Sequence, residues 1–160
     1  MPATSQTTPI CIDRIRDLVP HSGKMCLLEQ VVEFNVESIL CETHSHKDPG
    51  NPLRRKGHLS SLCAIEYAAQ AMALHAALVT GSAPGTQAPN PDPAPHGYLA
   101  SVRHIRCHVR YLDTVKSALN VRADYVFGDA GSMVYSFAIT AGKTKLVTGR
   151  ASVMLGSMFR

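Results

Sequence analysis

Apolar residues dominate one long stretch in the middle of the chain, residues 62–79, which reads LCAIEYAAQAMALHAALV. Ala, Leu and Met are strong helix formers, so the stretch predicts an α-helix. Because it is apolar nearly all round, we expect other elements to enclose it, and it is too short and too polar to indicate a membrane span. Ser60 or Ser61, immediately before the stretch, is expected to cap its N-terminus.

Several other segments alternate between apolar and polar residues with a period of two, which is typical of β-strands. Residues 27–33 and 37–43 flank a polar turn at Asn35 and predict a hairpin. After the helix, alternating segments are found at residues 105–111, 119–127, 133–141 and 146–155, and in the first of these the polar face is basic. The pattern predicts an α+β fold in which five or six antiparallel strands wrap around one long helix.

The remaining segments lack either period. Residues 1–11 are polar and predict a flexible N-terminus, followed by a single domain over residues 12–156. A short helix is expected at residues 12–18, because the ring of Pro20 stops it. Residues 44–58 are irregular, and residues 81–97 are so rich in Pro and Gly that they predict a long surface loop.

Composition narrows the possible partners and compartments. The formal net charge is +4 over 160 residues, which suits an acidic partner but falls short of a nucleic-acid-binding signature. Five scattered cysteines form no C-x-x-C pair, which indicates free thiols in a reducing compartment. The N-terminus MPATSQTTPI has neither a positive region nor an apolar core. We therefore expect a cytoplasmic protein without signal peptide or membrane anchor.

Glu66 is an isolated carboxylate inside the apolar helix. Burial disfavours the charged form of a carboxyl group, which is how a protein keeps an acid protonated near neutral pH. Gln70 lies four residues later on the same helix face, whereas His75 points roughly the opposite way and is expected to be a core residue. Glu66 is thus a candidate general acid, with Gln70 placed to orient it.

Four segments carry a resemblance to a known family. They are LVPHSGKMCLL at 18–28, SHKDPGNPLRR at 45–55, AIEYAAQAMALH at 64–75 and GYLASVR at 97–103. In this order they resemble the 3-hydroxyacyl-carrier-protein dehydratases of the hot-dog fold, in the branch similar to the accessory dehydratases of aryl-polyene biosynthesis. The resemblance implies that a 3-hydroxyacyl thioester loses water to give the trans-2-enoyl thioester. It implies no cofactor, because the acyl chain is carried on the phosphopantetheine of an acyl carrier protein.

The family also implies roles for residues. Glu66 matches the catalytic carboxylate of the central helix, but the usual G-H-F-x-x-x-P-x-x-P-G loop, whose histidine lies fourteen residues earlier, is absent and Pro52 stands there. The base is expected from His44, His46 or His58; His46 is preferred because it belongs to the matching S-H-x-D-P-x-N-P stretch, and His58 is the alternative. The backbone N–H groups of the first helical turn are expected to hold the thioester oxygen; they belong to Ser61, Leu62, Cys63 and Ala64. No metal site is expected.

The expected partners are an acyl carrier protein and a second hot-dog subunit, identical or different, since hot-dog enzymes usually combine histidine and carboxylate from two subunits. Exposed basic residues are candidates for carrier docking, namely Arg54, Arg55, Lys56, Arg103, Arg106 and Arg110. Neither nucleic acid nor membrane is an expected partner. Two other functions stay open: a hot-dog acyl thioesterase, and a non-catalytic subunit that accompanies an active dehydratase.

Overall fold

A computed structural model of the chain describes residues 10–11, 13, 23–79, 97–129 and 131–155. In this part of the chain, antiparallel strands form a single sheet in the order β1-β2-β3-β5-β6-β7-β4. The strands are β1 (Ile10–Cys11), β2 (Gln30–Phe34), β3 (Ser38–Thr43), β4 (Gly97–Cys107), β5 (Leu119–Gly128), β6 (Ser132–Ala141) and β7 (Thr144–Leu155). The final strand in sequence, β7, therefore lies between β6 and β4, and β4 is the last strand of the described sheet.

One long helix, α1 (Ala64–Val79), packs against one face of this sheet and contacts β3, β5 and β6. A short 3-10 turn, Ser61–Cys63, precedes it, and the Ser60 side chain accepts a hydrogen bond from the backbone N–H of Leu62. Ser60 is thus the N-cap. The stretch Ser61–Val79 is long and apolar enough to cross a membrane. Here its apolar residues pack into the core beside the sheet. Length and composition alone do not distinguish such a core helix from a membrane-spanning one.

The predicted α+β architecture is confirmed, and the differences are local. Ile10 and Cys11 belong to the segment predicted to be flexible, yet they pair with β2 as strand β1. The strand predicted at 105–111 begins at Gly97 and ends at Cys107. The helix predicted at residues 12–18 and the loop at 81–97 lie almost wholly outside the described residues.

A bulge in β4 breaks the alternation that the sequence predicts there. The register shifts between Arg103 and Arg106, and His104 has a φ of 56°, in the left-handed region. Arg103 pairs with Arg150, and Arg106 pairs with Thr148, two residues away on the same face of β7. Arg103 and Arg106 therefore share one face of the sheet, although a regular strand would place residues three apart on opposite faces.

His75 joins the helix to the sheet in the core. Its Nε2 donates to the carbonyl oxygen of Asn35 at 2.8 Å, and its Nδ1 accepts from the Tyr135 hydroxyl at 2.9 Å. The ring is 2% exposed, and burial lowers its pKa. The expectation of a core histidine is confirmed.

This histidine makes folding stability depend on pH. Its pKa in the folded chain is lower than the value of about 6.5 of an exposed histidine, so the unfolded chain binds more protons and stability falls as the pH drops below about 6.5. His75→Gln, which removes the titrating ring, is expected to weaken the loss of unfolding free energy between pH 7.5 and about pH 5 in urea titrations. The exposed His108→Gln serves as control; equal pH dependence in both variants would contradict the assignment.

Candidate active site

Gln70 holds the candidate acid in place. Its Nε2 donates to Glu66 Oε1 at 3.1 Å and to the carbonyl oxygen of Met25 at 2.7 Å. Its Oε1 accepts the backbone N–H of Leu27 at 2.9 Å, and the side chain is 1% exposed. Because three hydrogen bonds fix the carboxamide, it presents one defined N–H to the Glu66 carboxylate.

Glu66 itself is only partly buried, whereas the sequence predicted an enclosed carboxylate. The reason is its place in the first turn of α1, where the helix emerges from the sheet: Leu62 in the preceding turn is 59% exposed. Periodicity shows which side chains share a helix face, but it does not show which end of the helix the sheet leaves uncovered. The described part of the sheet therefore does not fully enclose Glu66.

His46, the base preferred from the sequence, lies inside the protein. It is 0% exposed, its Nε2 donates to the carbonyl oxygen of Val115 at 3.0 Å, and burial lowers its pKa. Nδ1 has no hydrogen-bond partner within the described residues. The ring joins the 3-10 turn Ser45–Lys47 to a segment 69 positions later, so its geometry is that of a structural contact rather than of a group presented to substrate.

The other two histidines are accessible and each faces a carboxylate. His44 has a half-exposed side chain whose Nδ1 lies 3.2 Å from Glu29 Oε2, and its backbone N–H donates to the same oxygen at 3.0 Å. His58 lies 3.3 Å from Asp113 Oδ2 and stacks on the Tyr111 ring at a centroid distance of 4.5 Å. Both rings are thus oriented, and His44 also lines a cleft.

The cleft beside His44 has a volume of about 400 Å³. Its lining includes Lys24, Cys26, Glu29, His44, Ser45 and Asp48. Cys26 connects the cleft to the acid, because its two chain neighbours are the residues whose backbone groups hold Gln70. One short segment, residues 25–27, therefore contacts the cleft beside His44 through Cys26 and binds Gln70 through its backbone.

The S-H-x-D-P-x-N-P stretch is a structural loop built on Tyr67. The Tyr67 hydroxyl lies 3.0 Å from Ser45 Oγ and accepts a hydrogen bond from Asn51 Nδ2 at 3.0 Å. Asn51 Nδ2 also donates to the carbonyl oxygen of Ser45 at 2.9 Å. Since buried backbone groups need partners, these side chains allow an irregular loop to pack against the helix.

Arg54 stabilises this loop through hydrogen bonds to its backbone. Its guanidinium donates to the carbonyl oxygens of Asp48 at 2.8 Å, Gly57 at 2.8 Å and His46 at 3.0 Å. The side chain is 16% exposed. Arg54 is thus occupied by the fold, which the sequence could not show, because a basic residue in a polar loop is usually solvated.

The other predicted docking residues differ in exposure and contacts. Arg55 and Lys56 are exposed beside the loop, although Arg55 donates to the carbonyl oxygens of Pro52 and Arg54. Arg110 lies 5.2 Å above the ring of Tyr111 in a cation–π contact. Arg103 and Arg106 are exposed on the sheet face away from α1.

The backbone N–H groups expected to hold the thioester oxygen are already bonded. Ser61 donates to the carbonyl oxygen of Arg110, and Cys63 donates to that of Ser60. The N–H of Leu62 goes to Ser60 Oγ, and that of Ala64 goes to carbonyl oxygens of the 3-10 turn. The prediction assumed that these four donors are free at the helix start, whereas the 3-10 turn takes up those of Cys63 and Ala64, and Arg110 and the Ser60 cap take up the other two.

Metal-ligating side chains do not cluster in the described ranges: no group of three or more His, Cys, Asp or Glu residues is placed to hold an ion. The five cysteines are free thiols, and burial raises the pKa of Cys41 to about 12.

Comparisons with known proteins support the fold and the chemistry. The family described as ApeP dehydratase matches residues 13–158. The dehydratase heterocomplex ApeI:P from Xenorhabdus doucetiae is similar in structure, with a TM-score of 0.74, 25% identity, and 93% of each chain covered. A thioesterase from Haemophilus influenzae has a TM-score of 0.60 at 12% identity, with 96% of each chain covered, and shows the shared hot-dog fold alone. No curated protein matches the chain significantly.

The Gln70 bridge gives a direct stability prediction. Gln70→Leu would leave the buried N–H of Leu27 and the carbonyl of Met25 without partners. We expect it to lower the free energy of unfolding by about 2–4 kcal/mol, measured in urea, because each unpaired buried group costs about 1–3 kcal/mol. Gln30→Leu at a partly buried position of β2 is the matched control. A change in Gln70→Leu no larger than in the control would contradict the bridge.

Proposed function

Because the chain belongs to the ApeP-like dehydratase family, we propose that it dehydrates a 3-hydroxyacyl thioester on an acyl carrier protein to the trans-2-enoyl thioester. The observation that carries the proposal is the partly buried Glu66 carboxylate, held by Gln70 in the first turn of α1. The matched region, residues 13–158, includes this carboxylate and the loop packed against its helix.

Glu66 is the proposed acid. Loss of water requires a proton for the departing 3-hydroxyl and a base for the proton at C2. The bond from Gln70 Nε2 to Oε1 fixes the plane of the carboxyl group, so that proton donation occurs from one defined direction. Positioning of this kind contributes because a catalytic group must lie within hydrogen-bond reach of the atom it serves.

His44 is the proposed base, in place of His46. The Nδ1–H group of His44 donates a hydrogen bond to Glu29. In this tautomer Nε2 carries the lone pair, which accepts the proton from C2. Glu29 is itself anchored by the backbone N–H of His44, so the pair is oriented before substrate binds. In hot-dog enzymes the histidine and the carboxylate usually come from two subunits, and we propose the same arrangement here.

A second hot-dog subunit is proposed to pair along β4. This strand is eleven residues long, lies at the end of the described sheet, and carries Tyr98 at 62% and Leu99 at 42% exposure. An exposed apolar edge strand is a template for pairing with another chain. The similarity to the ApeI:P heterocomplex supports a different rather than an identical partner.

The reaction class is tested with the chain and its partner subunit reconstituted together. We expect conversion of 3-hydroxyacyl-carrier protein to the enoyl product, followed by mass spectrometry, and no hydrolysis of saturated acyl-carrier protein. Glu66→Gln should lower the rate on the order of 10²-fold or more, because a general acid is lost. Glu37→Gln, on an exposed turn, is the control and should retain full activity.

Two outcomes would contradict this function. Hydrolysis of the saturated thioester without dehydration would identify a thioesterase that uses the same fold. Full dehydration by the Glu66→Gln complex would identify a non-catalytic subunit that accompanies an active dehydratase.

The proposed subunit contact is tested at Leu99. Leu99→Lys places a charge in the edge strand, which natural proteins use to block strand pairing, so the affinity of the two subunits should fall at least about tenfold. Val36→Lys is the matched control, since Val36 is also exposed, at 62%, but lies in the β2–β3 turn. Analytical ultracentrifugation measures both; equal affinity of both variants would exclude β4 as the contact.

A further inference from the structure

The sheet face opposite α1 carries a basic row that has no acidic partner among the residues that the structure describes. Arg103 and Arg150 are Cα partners on β4 and β7, and both are exposed. Neither guanidinium lies within salt-bridge distance of a carboxylate in the described ranges; Asp124, farther along the same row, is bonded to Arg122. Like charges directly opposite each other in a sheet are destabilising. The arrangement therefore costs folding energy.

The backbone adds a second unfavourable feature at the same place. His104 adopts a left-handed conformation, which is uncommon for a residue other than glycine. This bulge brings Arg106 onto the face that already holds Arg103 and Arg150. Strain that converges with like charges marks a functional surface more often than a structural one.

An apolar surface adjoins the arginines. Phe127 is 60% exposed and Tyr98 is 62% exposed, and Met154 lies opposite Tyr98 on β7. A groove of about 330 Å³ is lined by Phe127 and Val134 together with Arg103, His104 and Arg150. Exposed aromatic side chains beside arginines are the composition of protein docking surfaces.

We infer that this groove docks an acidic, amphipathic segment of a partner protein, with carboxylates on Arg103 and Arg150 and an apolar side chain on Phe127. The inference rests on the proposed function for the identity of that partner, the acyl carrier protein. Of the residues predicted to dock the carrier, the inference keeps Arg103 and excludes Arg54, whose guanidinium is bonded to carbonyl oxygens of its own loop, and it adds Arg150. A small anion would meet the arginines but would leave Phe127 uncovered.

The test measures binding without turnover. Holo-carrier protein lacking an acyl group is titrated by calorimetry into the full chain, alone and with its partner subunit, at about 50 mM and about 500 mM salt. Arg103→Glu with Arg150→Glu should weaken binding at least tenfold at low salt, and Phe127→Ser should weaken it several-fold at both salts. Lys143→Glu with Lys145→Glu applies the same change of charge at exposed positions of the β6–β7 hairpin and should change affinity less than twofold.

Arg103→Gln with Arg150→Gln repeats the test with a neutral pair in case charge reversal disturbs folding. If both charge-reversal double variants lost the same affinity for the carrier protein, the effect would come from overall charge rather than from this groove. That result would overturn the inference. Unchanged affinity would also overturn it, as would loss of the partner subunit from the complex, since the face would then be a subunit interface. Because no turnover is needed, carrier binding is measured independently of whether Glu66 proves catalytic.

Discussion

The Gln70 carboxamide is the contact on which the described site depends. A long helix that is apolar on most sides can rotate or slide against a sheet with little change in buried area, so polar contacts are needed to set its position. Gln70 binds two backbone groups of the segment Met25–Leu27 and the carboxylate of Glu66. Tyr67 and His75 add contacts to the loop and to the sheet from other sides of the same helix. The position of the helix against the sheet and the orientation of the Glu66 carboxylate therefore depend on the same side chain, Gln70.

The elements that follow from local pattern were predictable. The helix, the Ser60 cap, most strands and the spacing of Glu66 and Gln70 depend on neighbours in sequence. What escaped prediction does not follow from periodicity: His46 is bonded to Val115, 69 positions later in the chain, and Arg54 is bonded to three carbonyl groups of its own irregular loop. The bulge at His104 coincides with the adjacent basic residues Arg103 and His104, which interrupt the alternation between Val102 and Ile105, but this interruption alone does not specify a left-handed backbone. The partial exposure of Glu66 likewise does not follow from helix periodicity.

The loop that carries the family resemblance and the residues proposed to react are therefore different parts of the chain. The motif from Ser45 to Arg55 looked like a source of the base, but its histidine, asparagine and first arginine hold the loop together. The histidine that lines the cleft is His44, one position before the motif, where it faces Glu29. A motif can thus identify a family through its scaffold, while the reacting groups lie on the surfaces that the scaffold supports. On this account, chemistry is at the helix end and docking is on the opposite face of the sheet.

The most direct measurement of the central claim is a crystal structure of the assembled complex with a carrier protein bearing an unreactive amide analogue of the 3-hydroxyacyl thioester. The account predicts that a Glu66 carboxyl oxygen lies about 2.6–3.2 Å from the C3 hydroxyl, within hydrogen-bond reach of an acid and its substrate. It also predicts that the Gln70 bond to that carboxyl group persists. A bound analogue whose C3 hydroxyl meets another residue, with Glu66 turned away, would contradict the assignment of this chain's acid.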